Sequence, residues 1–190
     1  MKLQQLLKTT LVAAALTLGG AANAALLTSV SGSNTVVDYT AGSLVSFDLD
    51  LQNFSSTTLN FVIQDDDLLS PTLSMNALVR NLSGTGIDRF KFTTAGIAFS
   101  AAGSVTPAFG TLAGVGFNAS GATIDFGMPE FAEFQFGDPF SSGKTNWLLN
   151  IAGLRAGDTF SITAAVPEPG SIALLLAGLG CMLFGSHRRG

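Results

Sequence analysis

Between residues 25 and 166 the chain has no cysteine and no histidine; the single cysteine, Cys181, and the single histidine, His187, both lie near the C-terminus. Without cysteine this stretch cannot be stapled by disulfides, so it must hold together by burial and backbone pairing. Without histidine it can form neither a His-dependent catalytic triad nor a His-ligated metal site. Basic residues are also scarce. The stretch carries five (Arg80, Arg89, Lys91, Lys144 and Arg155) against twelve acidic residues, a formal charge of −7. Nucleic acid and anionic lipid headgroups are poor partners for such a surface. No segment shows the 3.6-residue apolar period of an amphipathic helix.

The two ends are patterned differently from the middle. Lys2 and Lys8 precede an apolar run from Leu11 to Leu18, which closes on the small residues Ala22-Asn23-Ala24. Charge, short apolar helix and small-residue site, in that order, make a secretory signal peptide over residues 1–24. Ala22 and Ala24 offer the small side chains that signal peptidase accepts, so the mature chain is expected to start at Ala25. The apolar run is well short of the ~20 residues of a spanning helix.

At the other end Pro167-Glu168-Pro169-Gly170 precedes a nearly uncharged stretch, Ser171 to Gly185, and then His187-Arg188-Arg189. Prolines prevent a strand or helix from running through into that stretch. As a helix it would span roughly 22 Å, less than the ~30 Å hydrocarbon core, which makes it a marginal membrane anchor. Arg188 and Arg189 favour the cytoplasmic side, leaving everything before Pro167 across the inner membrane. Cys181 reads as a small apolar filler of this transmembrane helix.

The tail from Val166 to Gly190 resembles a PEP-CTERM sorting signal, the C-terminal tag recognised by exosortases of Gram-negative bacteria that make extracellular polysaccharide. Pro167, Glu168 and Pro169 match its signature tripeptide, Ile172 to Phe184 its apolar helix, and Arg188 with Arg189 its basic end. The order of the three features carries the resemblance. It implies an exported, membrane-anchored precursor that an exosortase passes to the cell surface or the exterior, and it implies nothing about the domain's own chemistry.

That leaves residues 25–166, the size of one ordinary domain. Their pattern is that of strands. Val45, Phe47, Leu49 and Leu51 alternate with Ser46, Asp48, Asp50 and Gln52, as in a strand with one buried face. Leu59, Phe61 and Ile63 do the same, as do Phe90 and Phe92, then Trp147, Leu149 and Ile151, then Phe160, Ile162 and Ala164. Turn residues separate these runs at Ser33-Asn34, Ala41-Gly42, Ser83-Gly84-Thr85-Gly86, Ala119-Ser120-Gly121, Ser141-Ser142-Gly143 and Ala156-Gly157-Asp158. The expected fold is all-β, an antiparallel two-sheet sandwich of roughly eight to ten strands, immunoglobulin-like or jelly-roll, with a phenylalanine-rich core.

Candidate chemistry within the domain is sparse. Glu130 and Glu133 form the only carboxylate pair that invites a glycosidase reading, but residues three apart on a strand face opposite ways. Asp65-Asp66-Asp67 is the densest charge and lacks the ligand spacing of an EF-hand; it reads as a solvated turn. Asn53, Asn81 and Asn118 each begin an Asn-x-Ser sequence, an uninformative pattern in a bacterium. Trp147 reads as a core anchor before a ligand platform. The expectation is a non-enzymatic surface or matrix protein without a cofactor, associated with exopolysaccharide or adhesion. A carbohydrate-binding or calcium-assisted lectin-like module is the alternative, and a glycoside-active enzyme comes third.

Overall fold

The computed structural model describes residues 25–167. The expected signal and transmembrane helices lie outside them, as do Ala22, Ala24, Glu168, Pro169, Cys181, His187, Arg188 and Arg189. Among the described residues no helix is long and apolar enough to cross a membrane.

The described chain is all-β. Its strands are β1 Leu26–Ser31, β2 Thr35–Asp38, β3 Leu44–Leu51, β4 Thr57–Val62, β5 Thr72–Asn81, β6 Ile87–Ala95, β7 Ala98–Ala101, β8 Val105–Pro107, β9 Thr111–Asn118, β10 Gly121–Glu130, β11 Glu133–Phe136, β12 Trp147–Asn150 and β13 Thr159–Ala165. A single 3-10 turn, Asp65–Leu69, connects β4 to β5. One sheet has the order β1-β4-β13-β6-β10-β9. The other runs β2-β3-β5-β11-β8, with β12 also on β5 and β7 on β12.

Thirteen strands exceed the expected eight to ten, and two of the extra strands arise because two long strands of the second sheet are interrupted. β11 pairs with Ala77 to Arg80 of β5 and β12 with Thr72 to Met75, so the two are collinear along one edge of β5. Between them residues 137–146 leave the sheet opposite Asn76. Gly137 makes the exit possible: its φ is +76°, and a Cβ there would stand 2.8 Å from the Asn76 Cβ, so only glycine fits. β8 and β7 line up beyond β11 and β12 in the same way.

The antiparallel expectation also needs correction at one place. β3 and β5 pair in parallel over their whole length, Leu44 opposite Ser74 through Leu51 opposite Asn81. Between them the chain crosses to the other sheet as β4 and returns, and such a crossover brings the next strand back pointing the same way.

The two sheets meet through aromatic rings. Phe90 and Phe92 of β6 pack edge-on against Phe134 and Phe136 of β11 across the sandwich, with centroids 5.0 and 4.7 Å apart, and Phe47 of β3 meets Phe92 at 6.1 Å. Trp147 stacks on Phe136 at 4.3 Å, and its ring N–H donates to the Ser104 carbonyl. It is a core anchor. Nine of the domain's fourteen phenylalanines are buried, each contributing about 1.5–3 kcal/mol from burial.

The outer face of the second sheet carries Arg80 between Asp48 at 3.2 Å and Asp50 at 2.6 Å. Asp48 is half-buried rather than solvent-exposed, and burial raises its carboxyl above the ordinary range, against the pull of Arg80. A raised carboxyl contributes less stability as pH rises, so its charge is not needed at neutral pH. Phe47→Asp should abolish cooperative thermal unfolding by burying an unpaired charge, whereas Asp48→Asn should shift stability by less than about 1 kcal/mol. Equal melting temperatures for the two variants would show that the strand register is wrong.

Candidate functional site

Both ends of the described chain belong to the same sheet, and the register fixes where each emerges. β1 and β13 both run antiparallel to β4. Leu26 and Thr159 lie opposite Val62 on its two sides, and Ser31 and Thr163 opposite Thr58. Ala25 therefore sits at one end of the sandwich and Pro167 at the other, separated by the strand length, roughly 23 Å for seven residues. The tail grows out of a central strand: β13 is held by β4 on one side and β6 on the other, and the Thr58 and Thr163 hydroxyls hydrogen-bond across that seam at 2.8 Å. Val166 is still buried, and Pro167 is exposed.

A cleft of about 730 Å³ opens beside this root. Val166 and Pro167 form part of its wall, Ala113 and Gly114 of the edge strand β9 another part, and the half-buried Phe54 contributes a ring, while Phe126 lies at its floor with its ring turned into the core against Phe134. Arg89 of β6 and Asp125 of β10 face each other across adjacent strands as an ion pair on its polar side. The cleft offers small residues, aromatic carbon and a paired cation and anion within one concave surface.

The same end of the sandwich is pinned by Glu130. This side chain is fully buried. One carboxylate oxygen accepts the N–H of Phe109 and Gly110 at 3.0 and 2.9 Å, and the other accepts Ala132 N–H at 2.9 Å. Burial acts to raise its pKa, but the N–H groups of Gly110, Ala132, Phe109 and Glu133 outweigh it and hold the carboxyl below the ordinary range. The Glu130 carbonyl accepts from Asn81 Nδ2, and Asn81 N–H donates to the Ala132 carbonyl. Three turns are tied together in this way, and they expose Leu82, Phe109 and Phe131. Glu133 begins β11 on the outer face of the second sheet, opposite Arg80. The two glutamates therefore do not flank a common bond.

The Asp65 to Asp67 cluster is only partly the solvated turn its charge suggests. Asp65 and Asp66 are exposed, but Asp67 is buried, its carboxylate accepting the N–H of Gln64 and Ala25. Among the described residues no three His, Cys, Asp or Glu side chains converge in a metal-holding arrangement.

The three Asn-x-Ser sequences share a role that their pattern concealed. Asn53, Asn81 and Asn118 each use the side-chain oxygen to accept the N–H of the serine two residues on, at 2.9, 3.2 and 2.9 Å. All three stand at or just past strand ends, where such a bond starts a turn. Asp138 was not singled out in the sequence, yet it organises the excursion 137–146. It accepts the N–H groups of Ser142, Gly143 and Lys144 and the Ser142 hydroxyl, and those bonds, that of Ser142 first, lower its pKa. The Asp followed by a Ser-Ser-Gly run was the available signal.

Replacing Glu130 by Gln would turn an amide toward N–H donors and leave a buried donor unmet, at a cost of about 1–3 kcal/mol. Because the folded pKa of Glu130 is lowered, its contribution is present above the ordinary value of about 4.3 and disappears as pH falls through the folded value. Thermal unfolding of wild type and Glu130→Gln should therefore differ at pH 7 and converge in acid. A constant gap from pH 7 to pH 2 would contradict the assignment.

No curated protein and no solved structure matches the chain. Residues 165–189 match the model of the PEP-CTERM protein-sorting motif, a span that includes Pro167, Glu168, Pro169, Arg188 and Arg189 and begins at the last residue of β13. The chain is thus an exported protein with a PEP-CTERM tail, sorted by an exosortase.

Proposed function

We propose that the domain is a non-enzymatic cell-surface or extracellular-matrix module that associates with exopolysaccharide through the cleft at the root of its sorting tail. The cleft carries the reading. Phe54 supplies ring carbon for the apolar face of a sugar, and the Arg89–Asp125 pair supplies a donor and an acceptor for its hydroxyls, the mix of apolar wall and few polar groups typical of small-ligand sites. Its position beside Pro167 would hold the ligand close to the point where an exosortase acts. The leader over residues 1–24 would be removed by signal peptidase, and the apolar tail would hold the precursor in the inner membrane until it is processed. The engagement of Glu130 by backbone N–H groups argues against its acting as an acid or base and favours binding over hydrolysis.

Two measurements test this reading. In a host with active exosortase, the mass of the surface form should exclude Cys181, His187, Arg188 and Arg189, and alanines at Pro167, Glu168 and Pro169 should block the conversion. An intact mass ending at Gly190 would reduce the tail to an ordinary anchor. The double variant Arg89→Ala with Asp125→Ala removes an exposed pair and should leave stability within about 0.5 kcal/mol. It should lower co-sedimentation with the host's extracellular polysaccharide several-fold. Unchanged co-sedimentation would rule out the cleft, and release of bound polysaccharide by a calcium chelator would favour the lectin-like alternative.

A further inference from the structure

The end of the sandwich opposite the tail contains a buried hydrogen bond whose chemistry depends on processing of the chain. Asp67, in the 3-10 turn after β4, is 1 % exposed, and Ala25 is 3 % exposed and part of the core. Asp67 Oδ1 accepts the Ala25 N–H at 3.0 Å, and Oδ2 accepts the Gln64 N–H at 2.8 Å. In an uncleaved chain both donors are neutral amides. They do not balance a buried carboxylate: burial pushes the Asp67 carboxyl above its ordinary range, the Gln64 and Ala25 N–H groups only partly pull it back, and Asp66 adds repulsion. A buried charge facing only neutral partners is costly.

Ala25 is also the residue expected to follow the signal-peptidase cut, and the inference rests on that reading. Hydrolysis of the Ala24–Ala25 bond puts the hydroxyl of water on the Ala24 carbonyl carbon and its hydrogen on the Ala25 nitrogen, which takes a further proton from solvent to become an ammonium. We infer that this new ammonium pairs with Asp67 inside the fold, so that removal of the leader completes a buried ion pair and clasps β1 to the sandwich. The nitrogen is already in place and only its charge changes. A bond between two opposite charges replaces one in which only the carboxylate is charged, and the nearby opposite charge favours the ionised form of Asp67.

The clasp is specific for one starting residue. A start one residue earlier or later moves the charged nitrogen by about 3.8 Å along the chain, away from a carboxylate fixed by Gln64. It also has a task. β1 is an edge strand whose side chains are mostly exposed, so it has little burial to hold it, and unsecured edge strands invite pairing with other chains.

The test uses the full chain exported by its host. N-terminal sequencing of the processed protein should give Ala25, and its α-amine should resist acylation at neutral pH under conditions that modify Lys91 and Lys144, becoming reactive only on unfolding. A variant with one serine inserted between Ala24 and Ala25, processed after Ala24, keeps every side chain but puts an amide back at Ala25. Its new terminal amine should acylate freely, and its Tm should fall by roughly 3–8 °C for a domain of this size. Asp67→Asn should lower Tm similarly, with no further loss on adding the insertion; if that variant does not fold, the insertion and the wild-type amine still decide the matter. A different N-terminus would overturn the leader assignment and the clasp with it. Ala25 at the terminus with an amine as reactive as the lysines, or an insertion variant that melts with wild type, would overturn the ion pair alone.

Discussion

The structure depends on rings that cross from one sheet to the other. Phe90 and Phe92 come from β6, Phe134 and Phe136 from β11, and their edge-on contacts at 4.7 to 5.0 Å fix how the two sheets are superposed. Each pair adds about 0.5–1.5 kcal/mol beyond the burial of its surface, and edge-on geometry admits few alternative registers. With no disulfide in the domain, this interlock has to supply specificity as well as stability. Trp147 extends it by stacking on Phe136 across the break between β11 and β12, so the interruption of a long strand does not interrupt the core beneath it.

Rings cannot close the ends of a sandwich, where strands stop and backbone groups lose their ladder partners. Buried polar side chains do so here. Glu130 gathers three N–H groups at one end, Asp67 two at the other, and Asn34 accepts from Gln52 and Asn53 while donating to Ser55 and Thr57. Among the described residues every buried side-chain nitrogen or oxygen has a partner. Polar residues at these ends act as caps, and this accounts for two carboxylates that composition alone would mark as candidate chemistry.

The placement of the chain ends follows from the same framework. A tail rooted in β13 is anchored between two full-length neighbours, so its attachment to a membrane or its processing by an exosortase acts on the middle of a sheet instead of a loose edge. The start of the described residues is the opposite case. β1 is an edge strand with mostly exposed side chains, and the buried residue next to it is Ala25. A rigid root at the tail and a hydrogen bond from Ala25 to Asp67 ahead of β1 suit a domain that has no covalent staples.

The sequence by itself determined the class of the domain, the inward face of its main strands and the sorting tail. Alternation placed Phe47, Leu59, Phe92, Trp147 and Ile162 in the core because a pleated strand turns every second side chain the same way. The turn residues Gly42, Gly84 and Gly157 lie where the chain reverses, at positive φ, because few other residues tolerate that backbone. The tail was legible because a proline break, an apolar run and a basic end are local features that need no partner. What only the tertiary structure decided are the contacts between distant segments. The parallel pairing of β3 with β5 depends on which sheet β4 joins. The collinearity of β11 and β12 depends on where a ten-residue excursion returns, and the roles of Glu130 and Asp67 depend on backbone N–H groups up to 42 residues away in the chain. Periodicity reports which face of a strand is apolar; it carries no information on which strand lies next to it, and hence none on which buried carboxylate meets which amide.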